Sequence, residues 1–146
     1  TEECHVITRS AQARWSGELK SGNGSIRLGS GAFEGKYSFG TRFEAAPGTN
    51  PEELLGAAHA GCYSMALNLG ISQAGFAADY VETKAEVQMD RVDGAMTITG
   101  VRLTTRAKVP GLSAAQFAEL AETTKVKCIV SRALSVPMAL DAALEG

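Results

Sequence analysis

Two cysteines that lie far apart in the chain are the residues with the clearest capacity for chemistry. Cys62 lies within a long run of small and apolar residues, and Cys128 stands just ahead of Ile129 near the carboxyl end. Their separation excludes a CxxC redox pair and a compact zinc knuckle. A thiolate is a nucleophile, and a second thiol can condense with a sulfenic acid to give a disulfide. If the two act together, the fold must bring them together. Cys4, at the extreme amino end, is expected to be incidental.

Ionisation of Cys62 requires a cation from outside its own helix. Cys62 is expected about three turns into a helix, too far from the amino end for the helix dipole to lower its pKa. Arg42 is the candidate cation, and Glu52 can hold its guanidinium in a bidentate pair. The ordinary alternative for these two residues is a surface ion pair and a carboxylate that favours the helix dipole.

His59 suggests two alternative roles for Cys62. It stands three residues before Cys62, on an adjoining face of the predicted helix. It can act as the base of a Cys62–His59 hydrolase. With Cys62 and Cys128 it can also form a metal- or thiol-ligand-binding site, although no fourth zinc ligand is evident. The simplest alternative is that Cys62 is a small apolar residue on the core stripe of its helix.

The composition is that of an ordinary globular protein. The 146 residues are 45% hydrophobic, 6% aromatic and 21% charged, with a formal net charge of −2. This length suits one domain over residues 1–146. Scattered lysines and arginines form no basic stripe, so no nucleic acid partner is expected. No segment predicts a membrane span or a secretory signal, and an odd number of cysteines does not suit a disulfide scaffold. A cytoplasmic protein is expected.

The pattern of apolar and turn-forming residues predicts an α+β fold in the order βββ-α-ββ-α-β, with antiparallel sheets. Strands are predicted over residues 11–19, 25–28 and 37–43. A hairpin follows, with one strand over 81–89, a turn at Asp93-Gly94, and a return strand over 96–109 whose apolar phase slips at Gly100, as at a β-bulge. Ser113 with Gln116 predicts a helix from 113 to about 124. A short helical turn over 129–134 and a last strand over 136–140 complete the chain.

The central helix, predicted over residues 51–74, is the strongest local signal. Asn50, Pro51 and Glu53 are typical of a helix start, and Gly75 suits the position just past its end. Leu54, Ala58, Gly61, Cys62, Met65 and Leu69 share one stripe, and the opposite side is hardly more polar, which predicts a helix buried nearly all round. At roughly 35 Å, it is long for so small a domain. We therefore expect it to pack against a partner subunit.

Several stretches of the sequence resemble the OsmC/Ohr family of thiol peroxidases, in particular its OsmC branch. They are TRFE at 41–44, GTNPEELLGAAHAGCYSMAL at 48–67, ARWSG at 13–17, VPG at 109–111, and Cys128 with Val130-Ser131. The stretch at 48–67 is long and specific, and the likeness extends over nearly the whole chain.

The resemblance implies a function and an assembly. Cys62 is then the peroxidatic thiol, Cys128 the resolving thiol, and Arg42 and Glu52 serve the active site. The implied fold is an intertwined homodimer with both active sites at the subunit interface. The implied reaction is reduction of hydroperoxides, preferentially organic ones, with residues such as Met65, Phe39 and Phe43 as an apolar lining. No metal or organic cofactor is implied, and an external dithiol, for which a lipoyl-bearing protein is one candidate, recycles the disulfide.

One residue departs from the family pattern. The family usually has Pro directly after the resolving cysteine, and this chain has Ile129. Pro at the first position of a helix preorganises the turn. The substitution therefore bears on the loop geometry around Cys128 and on the rate of disulfide formation.

Overall fold

The computed structural model describes residues 5–146, so Cys4 lies outside the described residues. The chain divides into two compact units, the first ending at Glu52 and the second comprising Glu53–Gly146. Mixed helices and strands confirm the predicted α+β class. Within the described residues, no helix combines the length and the apolar character that crossing a bilayer requires.

The first unit contains a small antiparallel sheet of three strands. These are β1 (Ala11–Ser16), β2 (Asn23–Leu28) and β3 (Glu34–Tyr37), paired in the order β1-β2-β3. Trp15 on β1 packs against Tyr37 on β3, with their ring centroids 5.5 Å apart. Gly24 lies between these rings, where an added Cβ would meet a Tyr37 ring carbon at 2.4 Å. The first two predicted strands are confirmed, with β1 ending earlier than predicted.

The predicted third strand over residues 37–43 is wrong in its larger part. The strand ends at Tyr37, and helix α1 (Phe39–Phe43) follows. Ser38 caps this helix: its hydroxyl accepts from the Thr41 N–H at 3.1 Å, and the Thr41 hydroxyl accepts from the Ser38 N–H at 2.8 Å. These two bonds satisfy backbone donors that an extended chain would leave to a neighbouring strand. Arg42 therefore lies on a helix.

Helix α2 (Pro51–Gln73) begins at the predicted residue and crosses the boundary between the units. Gly75, with φ of 93°, follows its end, as predicted. In the second unit Gly56 of α2 is buried beside the strand that contains Ala85, and an added Cβ would lie in contact with the Ala85 carbonyl oxygen at 3.4 Å.

A long antiparallel hairpin follows, made of β4 (Tyr80–Val92) and β5 (Ala95–Lys108). Both turn residues, Asp93 and Gly94, have positive φ values of 50° and 82°, which match the twist of the strands. Gln88 pairs with Gly100 while Met89 pairs with Ile98, so Thr99 is an extra residue on β5. The predicted hairpin and the bulge beside Gly100 are confirmed.

The final strand, β6 (Met138–Glu145), pairs with β5 in parallel, so the prediction that all pairing is antiparallel is wrong here. Helices α3 (Ala114–Lys127) and α4 (Ile129–Ala133) connect the two strands. A helical connection of this length carries the chain back to the starting end of the sheet, which is the arrangement that parallel pairing needs. Ser113 caps α3 by accepting from the Gln116 N–H at 3.2 Å, as predicted.

The core of the second unit lies between α2, α3 and the β4-β5-β6 sheet. Its fully buried apolar side chains come from all three layers: Tyr63, Leu67, Ile71, Leu103, Ala107 and Ala121. On α2, the core face contains Gly56, His59, Tyr63, Leu67 and Ile71.

The prediction that α2 is buried nearly all round is wrong for the single chain. Met65 is 78% exposed and Leu69 is 58% exposed, and Ala58 and Gly61 are exposed on the same side. Small and apolar residues continue around the helix, and periodicity alone therefore did not distinguish the core face from this second face. One chain covers only the face that points at its own sheet.

Candidate active site

The sulfurs of Cys62 and Cys128 lie 3.1 Å apart in the second unit. Both are free thiols in this structure. Cys128 is completely buried, and Cys62 is partly exposed. The fold therefore brings together the two sulfurs that the sequence singled out, with one of them open to solvent.

Each thiol is placed by a helix. Cys62 lies in the middle of α2, whose core face is fixed by Tyr63 and Leu67. Cys128 is the residue between α3 and α4: its N–H donates to the Thr124 carbonyl at 2.9 Å, and its carbonyl accepts from the Arg132 N–H at 3.0 Å. Two helix ends thus fix the backbone of Cys128 from both sides.

The surroundings shift the pKa values of the two thiols in opposite directions. Burial raises the pKa of Cys62, and the hydrogen bond with Cys128 raises it further, whereas the N–H groups of Val130 and Ile129 lower it. Burial also acts to raise the pKa of Cys128, but hydrogen bonds from Ser131 and from the Val130 N–H, together with the contact to Cys62, lower it overall. In the surroundings provided by the described residues, Cys128 is the more readily ionised thiol.

The expected pair of Arg42 and Glu52 is present in the first unit. The Arg42 Nε lies 2.9 Å from Glu52 Oε1, and Arg42 Nη2 lies 2.7 Å from the same oxygen. A further contact of 3.2 Å joins Nε to Oε2. The Glu52 side chain is 9% exposed and that of Arg42 is 41% exposed. A buried carboxylate in the first turn of α2 therefore holds a guanidinium that remains partly open to solvent.

His59 reaches a residue that the chemical reading of the sequence did not single out. Its Nε2 lies 2.8 Å from the hydroxyl oxygen of Ser131 on α4, and both residues are buried. The Ser131 hydroxyl and N–H in turn lower the pKa of Cys128. No local pattern in the sequence predicts this contact, because the two residues are 72 positions apart on different helices.

A groove of about 730 Å³ lies beside the two sulfurs. Its lining comes from α2, α3 and the start of α4: Cys62, Met65, Ala66, Leu69, Gly70, Gln73, Ala74, Leu120, Thr123, Thr124, Lys127, Cys128 and Ile129. Most of these are apolar, and Lys127 is the charged residue among them. Met65 thus lines the groove, as expected. Phe39 and Phe43 pack together on α1 in the first unit, with ring centroids 5.1 Å apart.

The geometry does not favour the metal-site alternative. The Nε2 of His59 is engaged by Ser131, and its Nδ1 is buried without a hydrogen-bond partner in the described part of the chain. Across residues 5–146, no three His, Cys, Asp or Glu side chains are grouped so that they could hold a metal ion. The hydrolase alternative requires the His59 imidazole beside Cys62, but it contacts Ser131 instead.

Comparison with known protein sequences shows which family this chain resembles. A sequence model described as OsmC-like protein matches residues 43–141. Peroxiredoxin OsmC of Escherichia coli (strain K12) is 42% identical over 137 residues, covering 93% of this chain and 96% of the relative.

Superposition on solved structures shows which known proteins share the fold of this chain. The organic hydroperoxide resistance protein OhrB of Bacillus subtilis superimposes with a TM-score of 0.71 at 22% identity, covering 95% of this chain and 98% of its own. An OsmC-like protein from Mycoplasma pneumoniae gives a TM-score of 0.75 at 13% identity, covering 97% of this chain and 100% of its own. At these identities the similarity establishes the shared fold alone, and the predicted α+β fold of the single chain is confirmed. Since the sequence match also extends over most of the chain, this protein belongs to the OsmC-like protein family.

Proposed function

We propose that this protein is a thiol-dependent peroxidase that reduces hydroperoxides, organic hydroperoxides above all, in defence against oxidative stress. The observation that carries the proposal is the 3.1 Å separation of the Cys62 and Cys128 sulfurs beside an apolar groove. A disulfide bond is only about 2.05 Å long, so a small movement joins the two sulfurs. The relative named peroxiredoxin OsmC supports the same reaction class.

The proposed reaction has two chemical steps. The Cys62 thiolate attacks the distal oxygen of ROOH, the O–O bond breaks, and the alkoxide leaves as ROH after taking a proton. Cys62 then carries a sulfenic acid, and the Cys128 thiolate attacks its sulfur. The S–S bond forms, the S–O bond breaks, and hydroxide leaves as water. An external dithiol, with a lipoyl-bearing protein as one candidate, reduces the disulfide in the cytoplasm.

Arg42 is proposed to provide the positive charge that Cys62 needs. The groups of the described residues that act on Cys62 leave its pKa raised, and none of them is a cation. A guanidinium beside Cys62 would favour the thiolate and would stabilise the charge that develops on the leaving oxygen. Glu52, bound to Arg42 through two guanidinium nitrogens, is proposed to orient it.

A homodimer with active sites at the subunit interface is proposed as the working assembly. Its support is the exposed apolar side of α2, where Met65 and Leu69 are open to solvent, together with Ile129, which is 77% exposed. A contiguous apolar surface of this kind is typical of an interface. We also propose that residues 1–146 work as one OsmC-like domain, because the family match at 43–141 extends across the boundary between the two units.

Peroxide consumption with dithiothreitol or dihydrolipoamide as reductant tests the reaction. We expect Cys62→Ser to abolish turnover. Cys128→Ser should keep the first oxidation but accumulate over-oxidised Cys62, which mass spectrometry detects. Cys4→Ser is the matched control and should retain turnover. Undiminished consumption by Cys62→Ser would disprove the assignment.

Two comparisons refine the proposal. Cumene hydroperoxide should be turned over faster than hydrogen peroxide, because the groove beside Cys62 is largely apolar. Turnover of an ester substrate in place of peroxide would favour the Cys62–His59 hydrolase instead.

Mixing Arg42→Ala and Cys62→Ser subunits tests the dimer, since activity regained in the mixture requires Arg42 to act across the interface.

A further inference from the structure

His59 is a buried, titratable residue that the proposed reaction does not use. It is completely buried, lies one turn before Cys62 on α2, and points at α4 rather than into the groove. Its Nε2 lies 2.8 Å from the Ser131 hydroxyl oxygen, and Ser131 itself is only 6% exposed. Burial of an imidazole with a single hydrogen-bond partner costs free energy, because its second ring nitrogen loses water and gains no partner among the described residues.

The direction of the hydrogen bonds follows from the surroundings. Burial lowers the pKa of His59, so the ring is neutral and carries one N–H at neutral pH. Its Nδ1 has no partner among the described residues, and a proton placed there would be a buried donor without an acceptor. The proton therefore belongs on Nε2, which donates to the Ser131 oxygen.

Ser131 passes this orientation on to Cys128. Its hydroxyl has one hydrogen, which is free to rotate unless a donor occupies the oxygen. Since the oxygen accepts from His59, the hydrogen is left for another acceptor, and the Ser131 hydroxyl is one of the groups that lower the pKa of the Cys128 thiol. The hydrogen-bonded pair of His59 and Ser131 thus acts on Cys128.

We propose that His59 is a positioning residue for disulfide formation: through Ser131 it holds a hydrogen bond on the Cys128 sulfur and so keeps that thiol ready to attack the sulfenic acid on Cys62. The inference rests on the proposed peroxidase function. It assigns His59 to the second chemical step and leaves the first oxidation to Cys62. The bonds that form and break are those of the resolving step given above, and no further oxidant or reductant takes part.

The test separates the two steps of the reaction. Reduced protein is treated with one equivalent of cumene hydroperoxide. Loss of peroxide gives the first step, and dimedone trapping at timed intervals gives the lifetime of the sulfenic acid. The variants are His59→Leu, Ser131→Ala, their combination, and His59→Gln, whose amide nitrogen can replace Nε2 as a donor. Ser64→Ala is the control, because Ser64 is also on α2 but its hydroxyl donates to Thr83 at 2.8 Å.

We expect the first step to be unchanged in every variant. The sulfenic acid should persist roughly three- to tenfold longer in His59→Leu and Ser131→Ala, since a smaller thiolate fraction is partly offset by a more nucleophilic thiolate. The double variant should be no slower than the slower single variant, because both remove the same hydrogen-bond chain. His59→Gln should approach the wild-type lifetime.

Wild-type lifetimes in His59→Leu and Ser131→Ala would overturn the inference, as would effects that multiply in the double variant. If His59→Leu does not fold, the test rests on the sulfenic acid lifetimes of Ser131→Ala and Ser64→Ala. Equal lifetimes in these two variants would reject the role of Ser131. Failure of the proposed function has a different signature, since the wild-type protein would then form no sulfenic acid that dimedone can trap.

Discussion

Replacing Ile129 with Pro removes one hydrogen-bond donor from Cys62, the proposed reactive cysteine. Ile129 begins α4, so its N–H has no partner within that helix. This N–H and that of Val130 both lower the pKa of Cys62. Proline has no N–H. Ile129→Pro should therefore make Cys62 harder to ionise.

The exchange fits the backbone. Cys128 has φ of −53° and ψ of 135°, a conformation that residues before proline favour. The first position of a helix also accepts proline well. The Ile129 side chain is 77% exposed, so its loss removes little packing within the chain. The variant should fold, and its stability should change by at most about 1 kcal/mol.

The size of the effect follows from the strength of one hydrogen bond to a charged group. Such bonds contribute about 1.5–3 kcal/mol, and the partial exposure of Cys62 favours the lower end. At that lower end, about 1.5 kcal/mol corresponds to a roughly tenfold smaller thiolate fraction at a fixed pH below the pKa. The rate of alkylation at neutral pH should fall by that factor.

Alkylation with iodoacetamide across a pH series, read out for the Cys62 peptide by mass spectrometry, measures the effect. Ile129→Ala is the matched control, because it shortens the same side chain and keeps the N–H. We expect the profile of Ile129→Pro to move to higher pH and that of Ile129→Ala to follow the wild type. Coinciding profiles for the two variants would refute the reasoning.

Three further predictions concern the cation, the core and the buried imidazole. Arg42→Ala should move the pH profile of Cys62 alkylation upward, whereas Arg14→Ala, which removes an exposed arginine of β1, should leave it in place; an unchanged profile in the first variant would remove Arg42 from the mechanism. Leu67→Ala should lower the free energy of unfolding by about 2–5 kcal/mol in urea titrations, since Leu67 is completely buried, and a loss under 1 kcal/mol would contradict this packing. Burial lowers the pKa of His59, so near pH 6.5 and below the unfolded chain binds a proton more readily at this residue than the folded chain does. The free energy of unfolding should therefore decrease as the pH falls from about 7.5 to about 5.5. His59→Gln should lose less stability over the same interval, which urea titrations at the two pH values measure.

Local signals in the sequence predicted the elements whose cause is local. Helix α2 begins at Pro51 because the start signal and the helical periodicity agree. The Asp93-Gly94 turn and the slip at Gly100 are likewise visible in the residues themselves. The pairing of β6 with β5 depends instead on where α3 and α4 carry the chain, which no short pattern encodes.

The sequence indicated the two sulfurs and the ion pair of the candidate site, but not the contacts that support them. Residue type and the resemblance to a family indicated both cysteines and the Arg42–Glu52 pair. The hydrogen bond from His59 to Ser131 joins residues on two different helices, and only the packing of α4 on α2 reveals it. The same limit explains the exposed side of α2, because small apolar residues look alike whether they face a sheet or another surface.

The complete burial of Cys128 determines which sulfur of the disulfide an incoming reductant can attack. In the disulfide of the proposed cycle, an incoming reductant meets Cys62, the partly exposed sulfur, while Cys128 stays out of reach. The departing sulfur is then Cys128, and a thiol whose pKa is lowered leaves more easily. Hydrogen bonds that prepare Cys128 to close the disulfide also ease its release when the disulfide opens. A mixed disulfide with the reductant is accordingly expected on Cys62, so that one set of contacts serves both halves of the redox cycle.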